Sequence, residues 1–181
     1  MRVRVVGGPL SKFNDANDAN DARDRPAGRV PPSDIEAEKA VLSALLLDND
    51  AIHTVLNEVR PPDFYHPAHQ KIYESMLLMQ DANEPVDLHT LSSFMNAQKT
   101  LDAIGGPVYL AEIGDYEATA ANVVHHARIV RDKSIKRGLI SVATEIVESG
   151  FEDSDRAEHL LDLAEGKILD IGEQNSQSSF Q

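Results

Sequence analysis

Between Thr119 and Ser149 the chain runs for 31 residues without a proline and with a single glycine, Gly138. With almost nothing in it to break an α-helix, the stretch reads as one helix roughly 46 Å long. That exceeds the depth of a small globular head, so part of the helix is expected to project. Its C-terminal half carries two apolar rows: Ile135, Leu139, Val142 and Ile146 at spacings of 4, 3 and 4, and Ile129, Ile140 and Val147 on a neighbouring face. Gly150 offers a stop. A polar turn follows, then a last helix over about Asp155 to Ile171 with Leu160, Leu161, Ala164, Ile168 and Ile171 on one side. A short connection between two amphipathic helices favours an antiparallel hairpin. Such a hairpin covers the first row and leaves the second for another subunit or protein; the competing reading folds both rows back onto the head.

Upstream, the chain repeats a grammar of cap, apolar stripe and breaker. Residues 1–30 include Asn-Asp-Ala three times over at 14–22 and have few large apolar residues, the composition of a disordered tail. Order is expected from Pro31-Pro32-Ser33, with Ser33 capping a first helix, Glu36 reaching back to it, and Ile35, Val41, Leu42, Leu45 and Leu46 at helical spacing. Asn49 starts a short helix with Ile52, Val55, Leu56 and Val59, which Pro61-Pro62 end. His66 caps a third helix with Pro67 in its first turn, and Ile72, Met76, Leu77 and Met79 face inward. Asp87 caps a fourth with Leu88, Leu91 and Phe94, and Gly105-Gly106 breaks the chain before a short helix bearing Tyr109, Leu110 and Ile113. No run alternates as a strand does. The fold class is therefore all-α: a helical-bundle head over 31–117, a long antiparallel helical hairpin over 118–172, and the start of a linker over 173–181.

Charge narrows the function. The chain carries 17 basic and 30 acidic residues; residues 1–30 hold six of the basic and four of the acidic ones, which leaves −15 on residues 31–181. Such a body repels phosphate backbones, so direct DNA binding is expected to be weak or absent. No apolar run is long enough to span a bilayer, the start lacks a signal-peptide core, and a cytoplasmic location is expected. Cysteine is absent, which excludes disulfides, thiolate metal sites and cysteine nucleophiles.

The sequence carries no recognisable catalytic motif. The only Gly-Lys pair, Gly166-Lys167, is followed by Ile168, and Leu161 stands where a phosphate-binding loop needs its first glycine. His66 and His69 lie one turn apart without further placed donors, and adjacent His125 and His126 diverge on a helix, so no metal site is expected. No nucleophile elbow occurs, and the carboxylates read as a solvated face. No catalytic residue is assigned, and a small helical enzyme is the weakest of the readings.

Residues 31–42, Pro-Pro-Ser-Asp-Ile-Glu-Ala-Glu-Lys-Ala-Val-Leu, resemble the opening of DnaB-type replicative DNA helicases. Further blocks agree in order and spacing: Asp63-Phe64-Tyr65, His69-Gln70-Lys71-Ile72-Tyr73, Glu84-Pro85-Val86-Asp87-Leu88, Ile104-Gly105-Gly106 with Tyr109-Leu110, Thr119-Ala120-Ala121-Asn122, and Ala127-Arg128-Ile129-Val130-Arg131. The resemblance spans about residues 31–171. It implies the helicase N-terminal domain, a head plus hairpin whose six copies form a collar as a trimer of dimers and receive the C-terminal domain of primase. A helicase loader is a further partner under this reading. ATP and magnesium would belong to a RecA-like motor domain that these 181 residues do not contain, so no cofactor is expected here. The resemblance places primase-responsive positions at Tyr109, Ile140 and Ile146, and the second apolar row adds Val147 and Ile129 as hexamer-interface candidates. A stand-alone adaptor or regulator that borrows the fold stays open as the alternative.

From the missing phosphate loop and the acidic body, purified chain is expected to show neither DNA-stimulated ATP hydrolysis nor fork unwinding. Its DNA binding should be weak and vanish at physiological salt. Phosphate release and fluorescence anisotropy with labelled oligonucleotides check both.

Overall fold

A computed structural model describes residues 30–116, 120–151 and 157–176. Among these residues all regular structure is helical: α1 (Ile35–Leu47), α2 (Ala51–Val55), α3 (Pro67–Asp81), α4 (Leu88–Ala97), α5 (Gly106–Gly114), α6 (Val123–Phe151) and α7 (Ala157–Ser176), with 3₁₀ turns at Pro61–Asp63, Asp102–Ile104 and Ala120–Asn122. The all-α expectation holds. Residues 1–29, read above as a tail, Thr119 and the expected turn after Gly150 lie outside the described residues.

The apolar residues of α1 leave it little polar face, which marks a helix surrounded by others. Ala37, Ala40, Val41, Leu42, Ala44 and Leu45 are all buried, and the helix packs on α3, α5 and α6. Its cap is Asp34, not Ser33: Asp34 Oδ1 accepts the Ala37 N–H at 3.0 Å. The helix starts one residue later than expected, and a carboxylate gains more from the helix N-terminus than a hydroxyl does. Asn49 also does something other than start a helix. Asp50 takes the cap position of α2, while Asn49 accepts the Val86 N–H at 2.7 Å and donates to the Val86 carbonyl at 2.7 Å, clasping the connection before α4. Leu56, expected inside, is exposed; Val59, just beyond α2, is buried.

Three sequence readings hold closely. His66 Nδ1 accepts the Ala68 N–H at 3.2 Å and caps α3; Ile72, Met76 and Met79 are fully buried with Leu77 half-buried. Asp87 Oδ1 accepts the His89 and Thr90 N–H groups, capping α4. Gly105 and Gly106 take φ of 102° and 76°, the left-handed region where a side chain is costly. Phe64 is buried, 5.0 Å from the Tyr73 ring, while its neighbour Tyr65 lies partly exposed. Tyr65 receives the Arg137 guanidinium 5.5 Å above its ring.

The long helix, α6, starts as a head element and ends as a projection. Val123, Ala127 and Val130 are buried in the core, and no later residue of the helix is. A polar seam fastens the same segment. Arg128 pairs with Glu58 at 3.0 Å. Buried Asp63 accepts Arg131 Nη1 and the Ser134 hydroxyl, each at 2.7 Å, on Oδ1, and the Arg60 N–H at 2.8 Å on Oδ2. Arg137 donates to the Asp63 carbonyl at 2.6 Å and to the Pro32 carbonyl at 2.8 Å.

Removing Asp63 would leave the Arg131 cation in a largely buried place without its carboxylate. Asp63→Ala is therefore expected to cost about 3 kcal/mol. A urea-unfolding midpoint equal to that of the unaltered chain would show the seam to be dispensable.

Candidate interaction surface

The hairpin forms in antiparallel register. A Cβ at Gly138 would stand 3.7 Å from Ile171, one at Gly150 would stand 3.8 Å from Leu160, and Lys167 pairs with Glu145 between them. The face of α7 turned to α6 is thus Leu160, Ala164, Lys167 and Ile171, at spacings of 4, 3 and 4, all half-buried. Leu161 and Ile168 do not join them. They stand on the flank at 63% and 52% exposure, while Lys167 holds the inward position, paired with Glu145. Neither helix ends where its composition says. The long helix passes through Gly150 to Phe151, and α7 runs on to Ser176, past Ile171 and into the stretch read as linker.

On α6, Ile135, Val142 and Ile146 are half-buried as the covered row requires, whereas Leu139 is 44% exposed at its edge. The second row divides. Ile140 and Val147 are exposed at 54% and 58%, and Phe151, i+11 from Ile140, extends them at 88%. Helical phase puts these three on the side of α6 away from Gly138, Val142, Glu145 and Ile146, which turn toward α7. Ile129 shares their phase but is packed against the head core, so it does not belong to the exposed surface.

Tyr109 sits on α5 in a different setting, half-buried in a polar network. Glu38, 1% exposed in the first turn of α1, accepts the Tyr65 N–H at 2.6 Å on Oε1 and the His66 N–H at 3.2 Å on Oε2. His69 Nδ1 lies 2.7 Å from Glu38 Oε2, and His69 Nε2 lies 2.8 Å from the Tyr109 hydroxyl. The rings of His66 and His69 stack on Tyr109 at centroid distances of 5.8 and 6.0 Å. Burial pushes the Tyr109 hydroxyl above its ordinary pKa, and the charges of Glu112 and Glu38 add to this. Burial likewise lowers His66, aided by His69 and Lys39 and opposed by Glu38, which suits a ring nitrogen that must accept at the α3 cap. No group of three His, Cys, Asp or Glu among the described residues could hold a metal ion, and no helix among them is long and apolar enough to cross a membrane.

The family profile described as "DnaB-like helicase N terminal domain" matches residues 30–132, more than half of the chain. The chain belongs to this family. It is 44% identical over 153 residues to the replicative DNA helicase DnaB of Geobacillus stearothermophilus and 42% identical over 153 residues to the replicative DNA helicase DnaC of Bacillus subtilis (strain 168). Each match takes in 84% of this chain and 34% of the helicase, so the chain spans about a third of the length of these relatives. The crystal structure of the N-terminal domain of DnaB helicase from Mycobacterium tuberculosis superposes with a TM-score of 0.73 at 36% identity, covering 78% of this chain and 99% of that one. A DnaB-like replicative helicase, solved to describe its interactions with primase, shares the fold at a TM-score of 0.61 and 24% identity, over 76% of this chain and 31% of its own.

The DnaB-like blocks noted in the sequence meet in space. Asp63 of one binds Arg131 of another, and Glu38, His69 and Tyr109 come from three. Sequence reasoning missed the Glu38–His69–Tyr109 chain, although Glu38 shares the buried stripe of α1 with Val41, Leu42 and Leu45, an anomaly a polar partner had to explain. It also missed Leu161 and Ile168 as exposed positions and Phe151 as an extension of the outward row.

Because His66 is lowered in the folded state, the unfolded chain takes up a proton first as pH falls. Stability is fully present above the ordinary histidine value of 6.5 and is lost as pH drops below it toward the folded value. Melting temperature should fall from about pH 7 to about pH 5, and His66→Asn, which keeps a cap acceptor without the proton, should flatten the fall. An unchanged slope in the variant would remove His66 as its cause.

Proposed function

We propose that this chain is the N-terminal collar module of a replicative DNA helicase, which assembles the ring and docks primase, while ATP hydrolysis and unwinding belong to a motor domain beyond these residues. The observation that carries this reading is the outward row on the projecting part of α6, Ile140, Val147 and Phe151, large apolar side chains kept in water on the side away from α7. Apolar surface of this kind marks an interface, and family membership supplies its use: pairing with a second copy, and trimers of such dimers in the full helicase. The DnaB-like neighbour described with its interactions with primase supports primase as the second partner, and the family resemblance points to the primase C-terminal domain. Tyr109 offers a rigid aromatic body with a polar tip for direct docking. Ile146, turned into the hairpin, acts by setting how α6 and α7 pack, and Ile129 by seating α6 on the head. A loader is a further partner under the same reading.

Ile140→Asp or Val147→Asp should shift dimers or larger species toward monomer by roughly tenfold or more in dissociation constant, with helicity intact. Tyr109→Ala should weaken binding of the cognate primase C-terminal domain and leave the oligomer unchanged. Light scattering, circular dichroism and calorimetric titration on the same preparations check all three; unfolding of the Asp variants would return the row to the chain's own core.

A further inference from the structure

The Glu38–His69–Tyr109 chain has a direction, and the direction is set at its buried end. Both Glu38 oxygens receive backbone N–H groups, Oε1 from Tyr65 and Oε2 from His66. Backbone amides can only donate, so the side chain meets His69 as an acceptor, and the proton of that 2.7 Å bond sits on Nδ1. In the neutral ring Nε2 is then the acceptor, and the Tyr109 hydroxyl donates to it across 2.8 Å. With its one proton committed inward, the phenolic oxygen keeps only lone pairs for the outside. The ring cannot easily turn away from this arrangement. It stacks against the rings of His66 and His69, which themselves lie 4.7 Å apart.

Resting on the docking reading above, we infer that Glu38 and His69 are positioning residues that fix Tyr109 as a hydrogen-bond acceptor, so that the docking partner reads it with a donor: a lysine, an arginine or an amide N–H. The two residues touch nothing outside the head. They act by deciding which partner group Tyr109 can satisfy, and a partner offering a carboxylate or carbonyl there would meet lone pairs with lone pairs. An acidic body that favours basic partners points the same way.

The inference turns on a proton's place, which imidazole ¹⁵N NMR on the full chain reads directly. His69 should be the Nδ1–H tautomer. In Glu38→Gln the carbonyl oxygen at the Oε1 position keeps the Tyr65 N–H, and the NH₂ group at the Oε2 position faces Nδ1 at the cost of the His66 N–H bond; the proton then moves to Nε2, and Tyr109 turns its own proton outward. Calorimetric titration with the cognate primase C-terminal domain should show binding weakened about tenfold in Glu38→Gln and in Tyr109→Phe, with no further loss when both are combined. Tyr109→Phe removes only a hydroxyl at the rim of the network, so its arm stands even if Glu38→Gln does not fold. An Nε2–H or doubly protonated His69 in the unaltered chain, unaltered affinity in Tyr109→Phe, or additive losses in the double variant would each overturn the inference. If the unaltered chain fails to bind the primase domain while His69 is the Nδ1–H tautomer, the docking reading itself falls.

Discussion

Everything beyond the head depends on one carboxylate. Asp63 ends a 3₁₀ turn and sits buried, where an unpaired charge would cost several kcal/mol. It is compensated from α6, 68 to 74 residues further along, by Arg131 and Ser134 on its side chain and Arg137 on its carbonyl. With Arg128 on Glu58, these residues recur every third position and form one polar stripe beside the apolar contacts of Val123, Ala127 and Val130. Apolar burial alone holds a helix against a surface but tolerates sliding and rotation. A stripe of directed bonds to a fixed acid does not. The direction in which the rest of α6 leaves the head is therefore set by hydrogen-bond geometry at its base.

The parts legible in the sequence were those governed by local rules. Caps at His66 and Asp87, the Gly105-Gly106 turn and the presence of a long helix, though not its ends, each follow from a residue and its near neighbours. Where two neighbours can do the same job, the pattern alone points to the wrong one: Ser33 or Asp34 can cap and Asn49 or Asp50 can start a helix, but Asp34 and Asp50 take those places. Asn49 was drawn away by Val86, 37 positions on. The same limit applies at Lys167, a charged residue whose place in the hairpin seam depends on its pairing with Glu145 of the other helix. Gly150 lowers helix propensity without ending a helix that packs against Leu160.

The candidate surface was half legible for a similar reason. Ile140 and Val147 could be found from spacing because an exposed apolar row breaks the usual agreement between helix face and solvent. The Glu38–His69–Tyr109 chain joins residues 31 and 40 positions apart and could not be assembled by spacing. Its traces in the sequence were separate oddities: a glutamate on a buried stripe, a histidine one turn into a helix, an aromatic just after a glycine turn. Buried polar groups need partners, so such oddities are better read as a set awaiting one another than as individual exceptions.

Placement of the outward row follows from two coverings that stop at different heights. Ile129, Ile140 and Val147 share one phase of α6, so nothing within the helix distinguishes them. At the level of Ile129 the head lies against that phase and takes the side chain into its packing. The last bonds from the head reach Arg137. One turn later, at Ile140, α7 is the element that accompanies the helix among the described residues, and the register of Gly138 with Ile171 and Gly150 with Leu160 keeps α7 on the opposite side. The apolar phase thus passes from core to surface without any change in its sequence character. A partner that covers Ile140, Val147 and Phe151 continues the packing that the head begins at Ile129, on a helix whose orientation Asp63 has already set.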